Sequence, residues 1–142
     1  MLTSAGRQRL MDLARSTLRQ ALGMPDRAQV PLDRPTDVPA DLPAEILEPA
    51  GCFISLHEAG THRLRGCIGR IDFDAALAAN VTAAAREVLS DPRFVADRVT
   101  ANEWARLELE ISVLSPPRAA SSALDFDPLN DGLGWQYRKQ TG

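Results

Sequence analysis

The stretch Leu64-Arg65-Gly66-Cys67-Ile68-Gly69 limits most strongly what this chain can fold into. It follows an apolar run from Cys52 to Leu56 and a turn carrying Gly60, and an alanine-rich helical stretch comes after it. Glycine inside a strand weakens it and marks a bulge or a close backbone approach. Two glycines, an arginine and a cysteine within so short a run are therefore not the makings of a plain core strand. They read as a shaped backbone that presents Cys67.

Gly51 to Ile68 reads as a β-hairpin. With Ala59-Gly60 as a two-residue turn, His57 faces His62 and Cys52 faces Cys67. Alternation then puts Arg63, Arg65 and Cys67 on one face, and Leu64, Gly66 and Ile68 on the other. Leu107 to Leu114 is the cleanest strand of the chain, with Leu107, Leu109, Ile111 and Val113 facing one way and Glu108, Glu110 and Ser112 the other. Pro116-Pro117 stops it.

Helices surround these strands. Ser4 to Leu22 repeats Leu10, Met11, Ala14, Leu18, Ala21 and Leu22 at three- and four-residue steps, and Gly23 with Pro25 stops it. Arg7, Arg9, Arg15 and Arg19 lie off that stripe, as a solvated face or a contact for an anionic partner. A second helix opens at Asp72-Phe73-Asp74 with an aspartate cap, carries Leu77, Val81, Ala84, Ala85 and Val88, and ends at Asp91-Pro92. Thr100-Ala101-Asn102-Glu103 is a capping box that starts a short third helix. Between residues 24 and 50, six prolines exclude a central strand or a long helix, leaving a surface connector or partner-binding segment with one helical turn at Ala44 to Leu47. Near the C-terminus, Asn130-Asp131-Gly132-Leu133 reads as a turn into another strand with Trp135 and Tyr137 alternating.

Length and charge narrow the class. A chain of 142 residues fits one domain with a real core, and a net charge of -3 is not the basic excess of a nucleic-acid module. No apolar run approaches the ~20 residues of a membrane helix, and no secretory leader is visible. Two cysteines without an export signal argue against a disulfide framework and make the cytoplasm the default.

Three groups carry candidate chemistry. Cys67 is the first: a thiolate is the reactive form of cysteine, and a neighbouring cation such as Arg65 favours it. No histidine stands at a spacing that makes it a base, so Cys67 is either a nucleophile or a small buried cysteine with a structural or ligand-binding role. Second, Cys52, His57, His62 and Cys67 recur every five residues, a zinc-type set. The odd interval puts successive members on opposite strand faces, so no metal site is expected. Third, Arg65 and Arg63 face Glu108 or Glu110 if the hairpin lies beside the last strand, either as cross-strand ion pairs or as a cleft where Arg65 grips a carboxylate or phosphate.

The hexapeptide, together with Asp91-Pro92-Arg93-Phe94 and Leu109-Glu110-Ile111-Ser112-Val113-Leu114-Ser115-Pro116-Pro117 in that order, resembles the AMMECR family, whose bacterial and archaeal members are of the AmmeMemoRadiSam system protein A type. The resemblance covers residues 51 to 117 well. It implies an α+β fold, an antiparallel sheet with a central hairpin and helices packed on it, and the periodicities agree. It names no reaction and no cofactor. It brings Arg93 into the site beside Cys67, Arg65, Arg63, Gly66 and Gly69, and implies Memo-like and radical-SAM proteins as partners. Family members normally continue with another strand and a C-terminal helix, so an exposed apolar patch and a homo-oligomer are expected here. The organisation expected is one domain over 1–142: an N-terminal helix in 1–23, the proline-rich connector in 24–50, the signature core in 51–117 and an irregular part in 118–142. Two functions follow: a binding or regulatory module in which Leu64 to Gly69 recognises a partner protein or small anionic ligand, or a thiol-dependent enzyme with Cys67 as nucleophile and Arg65 as anion anchor.

Overall fold

The computed structural model describes residues 2–24, 42–122 and 124–134, and the backbone alone at 136, 137, 140 and 141. Four of the connector prolines and Trp135 lie outside them. The architecture is α+β. Three antiparallel strands, β1 (Gly51–Glu58), β2 (Leu64–Arg70) and β3 (Leu107–Leu114), run in the order β2-β1-β3, so the first strand of the hairpin is the middle of the sheet. Helices α1 (Ser4–Ala21) and α3 (Leu77–Glu87) pack on each other, and α3 lies over β1 and β2. The single-turn α2 (Ala44–Leu47) joins them through Ile46. A two-stranded ribbon, β4 (Gln136–Tyr137) with β5 (Gln140–Thr141), stands apart, and Tyr137 falls in it. No helix among the described residues is long and apolar enough to cross a membrane.

The core is the meeting of three apolar stripes. Cys52, Ile54 and Leu56 of β1 are at most 1% exposed, and they pack beneath Leu77, Val81, Ala84, Ala85 and Val88. Leu10, Leu13, Ala14 and Leu18 close α1 onto α3. The alanines of α3 let the helix come close to the strands, and burial of each large aliphatic side chain contributes about 1.5–3 kcal/mol. Thr3 caps α1 by accepting the Gly6 N–H at 3.0 Å, and the Glu45 carboxylate accepts from Thr3 in turn, pinning α2 to the start of α1.

Two boundaries differ from the sequence reading. Helix α3 begins at Leu77 with Ala76 as an N-cap that makes no side-chain bond. Asp72 instead accepts the Asp74 N–H within a local turn, and the Glu48 carbonyl accepts the Leu77 N–H, so the helix start is satisfied from a neighbouring segment. The capping box at Thr100 and Glu103 is present, but it opens a 3-10 helix, Ala101–Arg106.

The hairpin register is also different, by three residues. Cys52 lies opposite Arg70, not Cys67, Ser55 is opposite Cys67, and His57 is opposite Leu64. The loop is four residues long: Glu58 N–H donates to the Arg63 carbonyl at 2.8 Å, and Gly60 (φ 82°) and His62 (φ 56°) take the left-handed conformation that closes it. A second irregularity follows at once. Leu56 pairs with Gly66 and His57 with Leu64, leaving Arg65 as the extra residue of a β-bulge.

The backbone bonds fix what each edge of the sheet exposes. In an antiparallel ladder, N–H and C=O of successive residues point to alternate sides. Ala59 N–H bonds the Arg106 carbonyl at 2.7 Å, so even-numbered residues of β3 point to β1, and Leu107, Leu109, Ile111 and Val113 turn their backbone groups to the outer edge. On β2, Gly66, Ile68 and Arg70 point to β1, and Cys67 turns its N–H and C=O outward.

Candidate functional site

Arg65 is the most buried cation among the described residues, with 2% of its side chain exposed. The bulge carries it off the alternating pattern and under the segment after α3. Its guanidinium donates to the Asp97 carboxylate at 2.7 Å, to the Asp97 carbonyl at 3.2 Å and to Glu103 at 2.6 Å. Burial opposes the charge on Arg65, and hydrogen bonds to Glu103 and Asp97 outweigh it and raise its pKa. Burial likewise opposes ionisation of Glu103, yet bonds from Thr100 and Arg65 hold its carboxyl below the usual value. Glu103 thus serves both the capping box and the arginine. This corrects the pairing with Glu108 and Glu110: β1 stands between them and β2. Arg63 is exposed and pairs with Glu58 and Asp97, each at 3.4 Å.

Cys67 sits on the other side of the bulge's effect. It is half-buried and shares the outer sheet face with its partner Ser55, whose Oγ donates to Sγ at 3.2 Å. Arg65 and Cys67, joined by their spacing, have separate sets of partners across the bulge. The cation beside Cys67 is Arg93.

Asp91 and Arg93 close the outer edge of β2. The Asp91 carboxylate, almost fully buried, accepts the Cys67 N–H at 2.9 Å, and Arg93 Nη2 donates to the Cys67 carbonyl at 2.9 Å. The two side chains lock to each other through Nε at 3.1 Å and Nη2 at 2.7 Å. They imitate a neighbouring strand, one supplying the acceptor and the other the donor. Arg93 holds the Asp91 carboxyl far below the ordinary range, helped by the Cys67 and Arg93 amides. Asp91 foremost, and the Cys67 side chain as well, raise the pKa of Arg93. Arg93 is more than half exposed and stacks at 5.7 Å on Phe94, which is half-buried rather than in the core. Among the described residues no bond occupies its Nη1.

The glycines are explained by packing. A Cβ on Gly66 would stand 2.8 Å from the Val88 carbonyl oxygen, so only glycine lets the end of α3 touch the strand. A Cβ on Gly69 would run into the ring of Phe53 across the outer face. Neither opens a void in the backbone.

The four Cys and His residues are dispersed. Cys52 is in the core, where burial pushes its thiol up to about 11. His57 and His62 turn to the last strand, with His57 4.0 Å from Glu110 and His62 3.6 Å from Glu108, around an open cavity of about 480 Å³. Among the described residues, no three metal-ligating side chains converge. Sequence reasoning missed Ser55, Asp97 and the edge role of Asp91; only Asp91, inside a motif already singled out, left a signal.

The AMMECR1 family model matches residues 11–142. The crystal structure of the uncharacterized protein PH0010 from Pyrococcus horikoshii resembles this fold with a TM-score of 0.66 at 30% identity, over 82% of this chain and 54% of that one. The chain therefore spans about half the length of that protein. No curated protein matches it.

Proposed function

The chain belongs to the AMMECR1 family, and from that premise we propose that it is a binding or regulatory module of the cytoplasm. Its signature strand Leu64 to Gly69 recognises a partner protein or small anionic ligand through the outer sheet face, at Cys67 and Arg93. Arg93 carries this reading. Its guanidinium is anchored by a buried carboxylate, more than half exposed, and keeps Nη1 for an incoming carboxylate or phosphate. Arg65 and Gly66 pack behind the strand, Gly69 admits the Phe53 ring on the outer face, and Arg63 is exposed beside Glu58 and Asp97. Memo-like and radical-SAM proteins, the partners implied by the family resemblance, are the first to try. The test is capture of purified partners of these two kinds by the chain and by Arg93→Ala, each melted alongside. Capture lost in a folded Arg93→Ala supports the reading; capture by the wild type that persists unchanged in the folded variant overturns the role of Arg93.

A second reading has its own observation. Ser55 Oγ donates to Sγ of Cys67 at 3.2 Å, and the Arg93 guanidinium is bonded to the carbonyl of the same residue. In that reading Cys67 is the nucleophile of a small thiol-dependent enzyme, with Arg93 in place of Arg65 as anion anchor. Among the described residues no imidazole or carboxylate is hydrogen-bonded to Sγ, which is why binding ranks first. Alkylation of Cys67 by iodoacetamide across pH separates the two: reaction that sets in well below the ordinary ~8.5 of a thiol favours the enzyme.

A further inference from the structure

The outer edge of β3 has what the outer edge of β2 lacks, a row of open backbone groups. Leu109, Ile111 and Val113 turn N–H and C=O away from the sheet, and none of these groups has a backbone partner among the described residues, whereas Leu107 N–H is taken by the Trp104 carbonyl. Their side chains point to the core face, where Leu107, Leu109 and Ile111 pack at the margin of the buried cluster. These three are half-buried and Val113 is 42% exposed. A cavity of about 330 Å³ opens beside them, lined by Arg15, Leu18, Leu56, Trp104, Leu107 and Leu109. The strand carries neither lysine nor proline, the usual guards of an exposed edge.

We propose that β3 pairs antiparallel with β3 of a second copy of this chain, about a two-fold axis at Ile111, to make one continuous six-stranded sheet. Charge narrows the register. In an antiparallel pair, directly opposed residues lie on the same face. An axis at Glu110 would set Glu110 against Glu110, and an axis at Leu109 would set Glu108 against Glu110; like charges directly opposed are destabilising. An axis at Ile111 sets each Glu110 against a Ser112, and each Leu109 against a Val113. Ile111 meets itself. These odd-numbered residues are the ones whose backbone groups face out, so the same register forms the ladder bonds. The partner's Val113 then covers Leu109 beside the open cavity.

The other edge explains why the assembly stops at two. Asp91 and Arg93 already occupy the outward groups of Cys67, so β2 accepts no further strand. The result is a closed isologous pair and not a fibre. The pairing uses the edge away from Cys67 and does not depend on the binding role of Arg93.

Sedimentation equilibrium of the full chain over a concentration series tests it, with Ser112→Glu and Ser112→Lys beside the wild type. Ser112 is exposed on the outer face, so both variants keep the monomer fold, checked by melting. The wild type is expected to dimerise. Ser112→Glu sets a carboxylate against Glu110 twice per dimer and raises the dissociation constant; Ser112→Lys lowers it, by about 2- to 30-fold from two such cross-strand pairs. A chain monomeric up to its solubility limit overturns the proposal and leaves the edge to a foreign strand. A dimer indifferent to both substitutions overturns it too.

Discussion

The two edges of the sheet are treated in opposite ways. On β2, Cys67 presents one N–H and one C=O, and Asp91 and Arg93 supply the missing partners from a turn after α3. On β3, three residues, Leu109, Ile111 and Val113, present the same groups with no such cover among the described residues. The difference locates the work of the signature. Arg65 ties down the Asp97 segment, Gly66 admits Val88, and Cys67 is the docking point of Asp91 and Arg93. The hexapeptide is therefore first a device for closing an edge.

The largest expected effect breaks the closed edge from below. Arg65→Ala removes a buried guanidinium and strands Glu103, so urea unfolding should show a loss of roughly 3 kcal/mol. Arg63→Ala, at an exposed pair, should cost no more than about 0.5 kcal/mol. Equal losses would mean that burial of Arg65 does not decide its energetics.

Next in size is the close approach of helix to strand. Gly66→Ala forces its new methyl against the Val88 carbonyl, which is backbone and cannot swing away, at a cost of about 2 kcal/mol. Gly69→Ala meets the ring of Phe53, which is 38% exposed and free to rotate outward, so it should cost distinctly less. The difference between the two midpoints in urea is the measurement.

Much of this was legible in the sequence and part of it was not. The Leu107 to Leu114 strand and the single turn at Ala44 to Leu47 follow from alternation and proline placement, and both fall where those signals put them. The capping box at Thr100 is likewise local. The hairpin register was hidden, because it depends on His62 taking a positive φ, for which a histidine gives no distinctive signal. The bulge at Arg65 was hidden for another reason: what holds it are carboxylates 32 and 38 residues downstream. Spacing arguments assume an unbroken strand, so they joined Arg65 to Cys67 and overlooked Arg93 as the neighbouring cation. Two glycines did announce an irregular backbone, and packing against Val88 and Phe53 is what they were announcing.

A titration tests the latch itself. Asp91 is depressed in the folded state, so its contribution is complete above the unfolded carboxyl value near ~3.9 and is lost as the pH falls below that toward the folded value. Asp91→Asn should cost about 1.5 kcal/mol at neutral pH. The gap between wild type and variant should stay constant down to about pH 5 and close below about pH 4. A gap that widens on acidification would show that Asp91 is not held as a carboxylate by Arg93.

The smallest perturbation changes no residue. Amide hydrogen exchange reads each edge one N–H at a time. On β2 the Cys67 amide donates to a buried carboxylate and should exchange slowly although it lies on an edge. On β3 the pattern should alternate. Glu108, Glu110 and Ser112 donate toward β1 and should be protected, and Leu109, Ile111 and Val113 should exchange quickly in dilute solution. Raising the concentration adds the second test, because a strand paired with its own copy must slow Leu109, Ile111 and Val113 while leaving Cys67 as it was. Protection of those three that never varies with concentration would mean that something within the chain already covers β3, and the contrast between the two edges would disappear.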